Sequence, residues 1–83
     1  MGIKIDVFPD PASELVTVNF DSVSGQTRVN LINNLGIVLM EKEFYINGNS
    51  HKVDFDIAGL QSGVYLLGVV CENIYEIRKV IVF

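Results

Sequence analysis

The stretch VDFDIAGLQSGVYLLGVV, residues 53–70, combines two strand patterns with the corner that joins them. Before the corner, Val53, Phe55 and Ile57 alternate with acidic residues, and this period of two is typical of a strand with one buried face. After the corner, residues 64–72 form the most apolar segment of the chain, which is the composition of a strand buried on both faces. The stretch therefore predicts two consecutive strands, the second of them central in its sheet.

Between these two strands, residues 60–65 read LQSGVY and place a glycine two positions before a tyrosine. Gly63 can form the bend, and Tyr65 stands at the start of the second strand. This is the arrangement of a tyrosine corner, in which the phenol hydroxyl bonds to backbone upstream. The alternative is that Tyr65 is an ordinary half-buried aromatic of the strand.

The rest of the chain continues the period of two. Pro9-Asp10-Pro11 ends the first strand because proline has no N–H for a ladder, and Gly36 follows two asparagines in a tight turn. Residues 37–44 carry apolar side chains on both faces, so the pattern does not identify the buried one. The predicted strands are 3–7, 14–20, 27–33, 37–44, 51–57, 64–72 and 76–83.

No segment shows helical spacing, and no connection is long enough for a parallel crossover. Short strands separated by regular turn signals are typical of a sandwich. The sequence therefore predicts an all-β fold, a seven-stranded antiparallel immunoglobulin-like β-sandwich.

Length and composition limit the function classes. The 83 residues, 49% apolar and 19% charged, predict a single globular domain over residues 1–83. The net charge is −4 and lysine and arginine do not cluster, which argues against nucleic-acid binding. The longest apolar run, residues 64–70, is far shorter than the roughly 20 residues of a membrane-spanning helix. We expect no membrane span.

The N-terminus carries no leader pattern, and the chain has a single cysteine. The N-terminal MGIKID lacks the basic and apolar regions of a secretory signal. One interpretation of Met1-Gly2 is a start added for expression of an excised domain. Cys71 is the single cysteine, so no disulfide can form within the chain.

Catalytic and metal-binding patterns are sparse. His51 is the single histidine and stands beside a turn, and Cys71 ends an apolar strand, where a small buried thiol is expected. Asp54 and Asp56 share one strand face, and Asp10 is the one further carboxylate considered as a metal ligand, but calcium takes six to eight oxygens. We therefore expect a solvated polar face, no metal, no cofactor and no enzyme activity.

Three blocks in this order resemble a known family. They are VFPDPASELVTV (7–18), VNLINNLGIVL (29–39) and residues 53–70, followed by a basic final strand, IRKVIVF (77–83). The chain is similar to the type A C-terminal sorting domains of the Bacteroidetes type IX secretion system. It departs from their pattern where Asn33 replaces an aspartate, Ile37 an arginine, Gln61 a proline and Phe83 a terminal lysine. The motif positions that the resemblance marks for recognition are Pro9, Pro11, Gly36, Gly63, Tyr65, Arg78, Lys79, Val80, Ile81, Val82 and Phe83.

The resemblance implies a non-catalytic, folded C-terminal signal that directs an attached cargo protein across the outer membrane. The implied partners are the outer-membrane translocon and its shuttle proteins. A sortase-like cysteine peptidase then usually removes the domain and attaches the cargo to the cell surface. The implied location is the periplasm in transit, then the outer-membrane surface or the extracellular space. We expect the contact at residues 77–83 and at the Gly36 hairpin.

Another class of function stays open at this point. A small immunoglobulin- or fibronectin-like accessory or adhesion module would have a similar pattern, and Phe44, Tyr45 and Tyr75 could then contact a sugar. A strand-rich domain with no function of its own is a third possibility. Edge strands also make a homodimer possible.

Overall fold

The protein consists of seven strands, which a computed structural model describes over residues 4–8, 14–21, 23–48 and 50–83. These ranges contain no helix, and every strand pair is antiparallel. The predicted all-β sandwich is confirmed. The strands are β1 (Lys4–Phe8), β2 (Leu15–Asp21), β3 (Ser24–Ile32), β4 (Val38–Asn47), β5 (His51–Asp56), β6 (Gly63–Cys71) and β7 (Ile74–Val82).

The strands form two sheets, ordered β1-β2-β5 and β4-β3-β6-β7. The chain changes sheet after β2, after β4 and after β5. β6 lies between β3 and β7, so the most apolar strand is an inner one, as predicted. Each sheet turns one apolar face toward the other, which is the layered solution that buries both.

The core lies between the two sheets and follows the predicted alternation. In β2 the inward residues Val16, Val18 and Phe20 are fully buried, and in β5 the inward residues include Val53 and Phe55. The four-stranded sheet supplies Leu31, Leu67 and Val80, among others. Every second residue of these strands is buried because side chains alternate between faces.

The third strand is longer than predicted. β3 begins at Ser24 rather than at residue 27, and Gly25 pairs with Ile46. Gly25 has φ +124°, and a Cβ there would lie 2.6 Å from Cγ of Glu72. Gly25, which resembles a turn signal in the sequence, is therefore a strand residue. It lies so close to the Glu72 side chain that no side chain fits at position 25.

The structure also identifies the inner face of β4. Met40, Lys42, Phe44 and Ile46 lie opposite inward residues of β3, and Ile46 is the buried one. Lys42 Nζ donates to the backbone oxygen of Asp54 in β5. Phe44, on the same face of β4, is half-buried and stacks on His51, with ring centroids 4.6 Å apart. A charge therefore interrupts the apolar inner face at this edge, which explains why the sequence pattern was ambiguous.

Candidate recognition surface

Antiparallel topology places two described connections and the end of β7 at one end of the sandwich. This end, called the motif end, comprises the β3–β4 turn (33–37), the β5–β6 loop (57–62) and Val82–Phe83. Gly63 at the start of β6 pairs with Val82 at the end of β7. β1 begins at the opposite end, where Lys4 pairs with Asp21. Motif positions far apart in sequence therefore meet at the end away from the start of the chain.

The β3–β4 turn is fixed by its own hydrogen bonds. Asn33 Oδ1 accepts from the backbone nitrogens of Leu35 and Ile37 at 2.9 and 3.0 Å. Gly36 has φ +83°, and its N–H donates to the backbone oxygen of Asn33 at 3.0 Å. An asparagine side chain supplies the same acceptor oxygen as an aspartate here. The departure from the family pattern at Asn33 thus keeps the local bonding.

The β5–β6 loop contains the predicted tyrosine corner. The Tyr65 hydroxyl donates to the backbone oxygen of Gln61 at 2.6 Å, and Tyr65 is buried. Asp56 Oδ1 accepts from the Ala58 N–H at 3.1 Å. The corner is confirmed, and it holds the loop against the start of β6 in front of Gly63.

An open cleft of about 380 Å³ lies between the Gly36 turn and the corner loop. Residues 33–35 line one side, residues 59–63 line the other, and Leu39, Val64 and Tyr65 complete the wall. None of these described lining residues is charged. The cleft therefore suits an uncharged segment of a partner better than a charged ligand.

β7 divides the predicted recognition residues between two faces. Val80 and Val82 point into the core and are buried. Arg78 pairs with Glu76 at 3.5 Å. Lys79 and Ile81 lie on the outer face, and Phe83 is 72% exposed. A partner at the surface could touch Lys79, Ile81 and Phe83, whereas Val80 and Val82 hold the strand in place.

Two of the predicted recognition residues, Pro9 and Pro11, lie outside the described residues, as does Asp10. The strands that flank them are described. Phe8 pairs with Thr17, and Glu14 accepts from the Ile57 N–H at 2.9 Å. The flanking residues therefore lie toward the motif end.

The residues considered for chemistry have structural contacts. His51 stacks on Phe44, and the buried Cys71 thiol donates to the Ser24 oxygen at 3.5 Å. Asp54 accepts from the Thr17 hydroxyl at 2.8 Å. Within the described ranges, no group of three His, Cys, Asp or Glu side chains could hold a metal ion. The same ranges contain no helix long and apolar enough to cross a membrane.

The sequence did not identify the outer face of the four-stranded sheet as a surface. Val64 and Leu66 of β6 and Tyr75, Ile77 and Ile81 of β7 point away from the core and are exposed. A signal was present, since residues 64–72 are apolar on both faces. That signal predicts a strand covered on both sides, whereas the described residues cover only one.

The motifs and the fold agree with a comparison against protein families. A profile described as the secretion system C-terminal sorting domain matches residues 6–83. No curated protein matches the chain. The match covers all seven strands except the first two residues of β1. The chain therefore belongs to the family of secretion system C-terminal sorting domains, the signals of type IX secretion.

Proposed function

We propose that the motif end, with the outward side chains that end β7, is the surface recognised by the type IX translocon and its shuttle proteins. The observation that supports this proposal is the meeting of the Gly36 turn, the tyrosine corner and Val82–Phe83 at one end. Leu35 in that turn is 78% exposed and Phe83 is 72% exposed. Exposed apolar side chains beside an uncharged cleft are features of a protein-binding site.

The position of the cargo supports the same end. A C-terminal sorting domain follows its cargo, so the cargo joins the domain ahead of β1. β1 starts at the end of the sandwich opposite the motif end. The long axis of the domain is 34 Å, and a cargo attached at its far end leaves the motif end open to a partner.

The test is export of a reporter that carries the chain at its C-terminus in a type IX-competent host. Leu35→Asp with Phe83→Asp places two charges on the apolar surface without changing the core. We expect the unaltered fusion to reach the cell surface or the medium, and the double variant to accumulate in the periplasm. Cell fractionation and protease accessibility of the reporter measure the difference.

A matched control is Tyr45→Asp, because Tyr45 is 62% exposed and lies near the opposite end of β4. We expect this variant to be exported like the unaltered fusion. Retention of the unaltered reporter in the periplasm would contradict the sorting role. Normal export of the folded double variant would contradict the motif end as the contact. Deletion of residues 79–83 is a poorer test, since it also removes the buried Val80 and Val82.

We further propose that the domain passes through the periplasm and is removed at the surface by a sortase-like cysteine peptidase, which attaches the cargo there. The domain itself carries the signal and performs no catalysis. The test is the mass of the exported reporter. It should lose the mass of the domain in a host with the active peptidase, and retain it in a host whose peptidase lacks its catalytic cysteine. An unchanged mass in both hosts would contradict removal.

No observation favours the accessory-module alternative. Phe44 is packed between Phe20 and His51. Tyr45 and Tyr75 lie on the two outermost strands of their sheet, roughly 14 Å apart at the spacing of neighbouring strands. These aromatic side chains therefore do not form one platform for a sugar. The homodimer through edge strands stays a prediction.

A further inference from the structure

We propose that the outer face of the four-stranded sheet packs against the same face of a second copy of this chain. This inference goes beyond the proposed sorting function. Lys79 and Ile81 belong to both surfaces, so the dimer and the translocon would exclude each other there. In the dimer, the two four-stranded sheets would pack face to face, as the two sheets of each sandwich already do. Two sheets that pack face to face lie about 10 Å apart with their strands roughly aligned.

The apolar character of the face supports a packed contact. Across the ladders, Ile32 lies opposite Leu66, and Val64 lies opposite Ile81. Ile77 is 49% exposed and lies opposite Gly68 of β6, which the Tyr75 and Ile32 side chains cover. Residues that are opposite on a ladder share one face, so these side chains form an apolar patch across β3, β6 and β7, within which Lys79 lies opposite Leu66.

The charges on the outer face favour a second copy of the chain as the binding partner. The outer face carries acidic Glu41 and Glu43 on β4 and basic Lys79 on β7, the two outermost strands. Arg28 on β3 lies opposite Glu43. Within the described ranges, Glu41 and Lys79 make no ion pair. Arg28 thus lies next to an acid on the neighbouring strand, whereas Glu41 and Lys79 lie on opposite outermost strands of the sheet.

A two-fold axis parallel to the strands joins these opposite charges. Such an axis lays β4 of one copy over β7 of the other, and β3 over β6. Glu41 then faces the Ile77 level of the second copy, one side-chain step along the strand from Lys79, and long side chains span that diagonal. The symmetry makes this contact twice. An axis across the strands would instead lay β4 over β4 and β7 over β7, so that strands carrying the same charge would meet.

The size of the face is sufficient for a specific dimer. Four strands about 4.8 Å apart and about 30 Å long present roughly 570 Å². Two such faces in full overlap bury roughly 1,100 Å², which meets the roughly 1,000 Å² expected of a biological interface. The outer face of the other sheet carries Asp6, Asn19, Lys52 and Asp54, so it offers no comparable apolar patch.

The β4 edge is a poorer site for the same partner. Lys42 points to the inner face of β4 and bonds to the Asp54 oxygen across the open side of the sandwich. An inward-pointing lysine on an edge strand opposes pairing with another chain. The apolar face has no such obstacle along β6.

The test is sedimentation equilibrium of the 83-residue chain up to about 1 mM, the range that detects weak dimers. We expect the mass to rise from 9.2 kDa toward twice that value. Leu66→Lys should weaken the dimer at least about tenfold, because it buries a second positive charge opposite Lys79 on the ladder. The control is Leu15→Lys, since Leu15 is comparably exposed on the other sheet, and it should leave the dimer unchanged.

Charge exchange tests the symmetry directly. Glu41→Lys and Lys79→Glu should each weaken the dimer at least about tenfold, and the double variant should restore it, because opposite charges again lie on the same diagonal. Thermal unfolding of each variant verifies that the monomer is folded. Three results would overturn the proposal: a mass of 9.2 kDa at every concentration, a dimer that persists in Leu66→Lys, or a double exchange that fails to restore association. A constant monomer mass would favour the export machinery as the partner of this face. A dimer that persists in the variant would favour pairing at the strand edges.

Discussion

The inner and outer faces of the four-stranded sheet are both apolar, but they serve different purposes. Leu66 and Leu67 are neighbours in β6, yet Leu66 is 39% exposed and Leu67 is fully buried. The inner face packs on β1, β2 and β5 and stabilises the fold. The outer face has no layer over it in the described part of the chain. Apolar composition in a strand therefore does not by itself distinguish a core residue from a binding residue.

The largest expected effect separates these two leucines. Leu67→Ala should lower the free energy of unfolding by about 2–5 kcal/mol, because it removes transfer energy and leaves a cavity. Leu66→Ala should lower it by less than about 1 kcal/mol, since much of that side chain stays in water. Urea unfolding of both variants at a concentration where the chain is monomeric measures the difference. Equal losses would mean that the outer face is covered within the monomer.

The next effect concerns the tyrosine corner at the inner face. Tyr65→Phe removes the hydroxyl that donates to the Gln61 oxygen, and it should cost about 1 kcal/mol of stability. Tyr75→Phe is the matched control on the outer face, where Tyr75 is exposed, and it should have almost no effect. Thermal melting of the two variants gives the comparison. Similar melting temperatures would show that the corner bond adds no net stability.

A smaller effect concerns the charge on the inner face of β4. Lys42→Met keeps the aliphatic length but removes the bond to the Asp54 oxygen and the ammonium 5.2 Å from the centroid of the Phe55 ring. It should cost about 0.5–1 kcal/mol and make the β4 edge more prone to association. The control is Lys52→Met on the outer face of β5. Unfolding and light scattering measure the two consequences, and identical behaviour of both variants would contradict this role of Lys42.

The smallest expected effect concerns Gly68 on the outer face, which the Tyr75 side chain covers. A Cβ at Gly68 would be 3.4 Å from the Tyr75 hydroxyl, which can move because it ends an exposed side chain. Gly68→Ala should therefore stabilise the monomer by about 0.5 kcal/mol through the unfolded chain. The double variant Gly68→Ala with Tyr75→Ser should show the same gain relative to Tyr75→Ser. Destabilisation that disappears in the double variant would show that Tyr75 is held in place.

Much of the candidate surface could be predicted because it depends on local sequence. The Gly36 turn is set by an asparagine and a residue with positive φ, and the Tyr65 bond spans four positions. Their meeting across the cleft could not be predicted, since it depends on which strands pair. The division of β7 was also hidden, because Val80 and Ile81 look alike in sequence and differ only in the face on which they lie.

The sequence by itself determined the number and approximate positions of the strands, the inward residues of β2 and β5 and the corner, because these follow from a period of two and from residues close together in the chain. Its motifs also indicated the family. The tertiary structure decided the order of strands in each sheet, the inner face of β4, the strand conformation of Gly25 and the exposure of the outer face. The physical reason is that burial of a second apolar face depends on whether another layer covers it. The alternation of residues within one strand does not show whether such a layer is present.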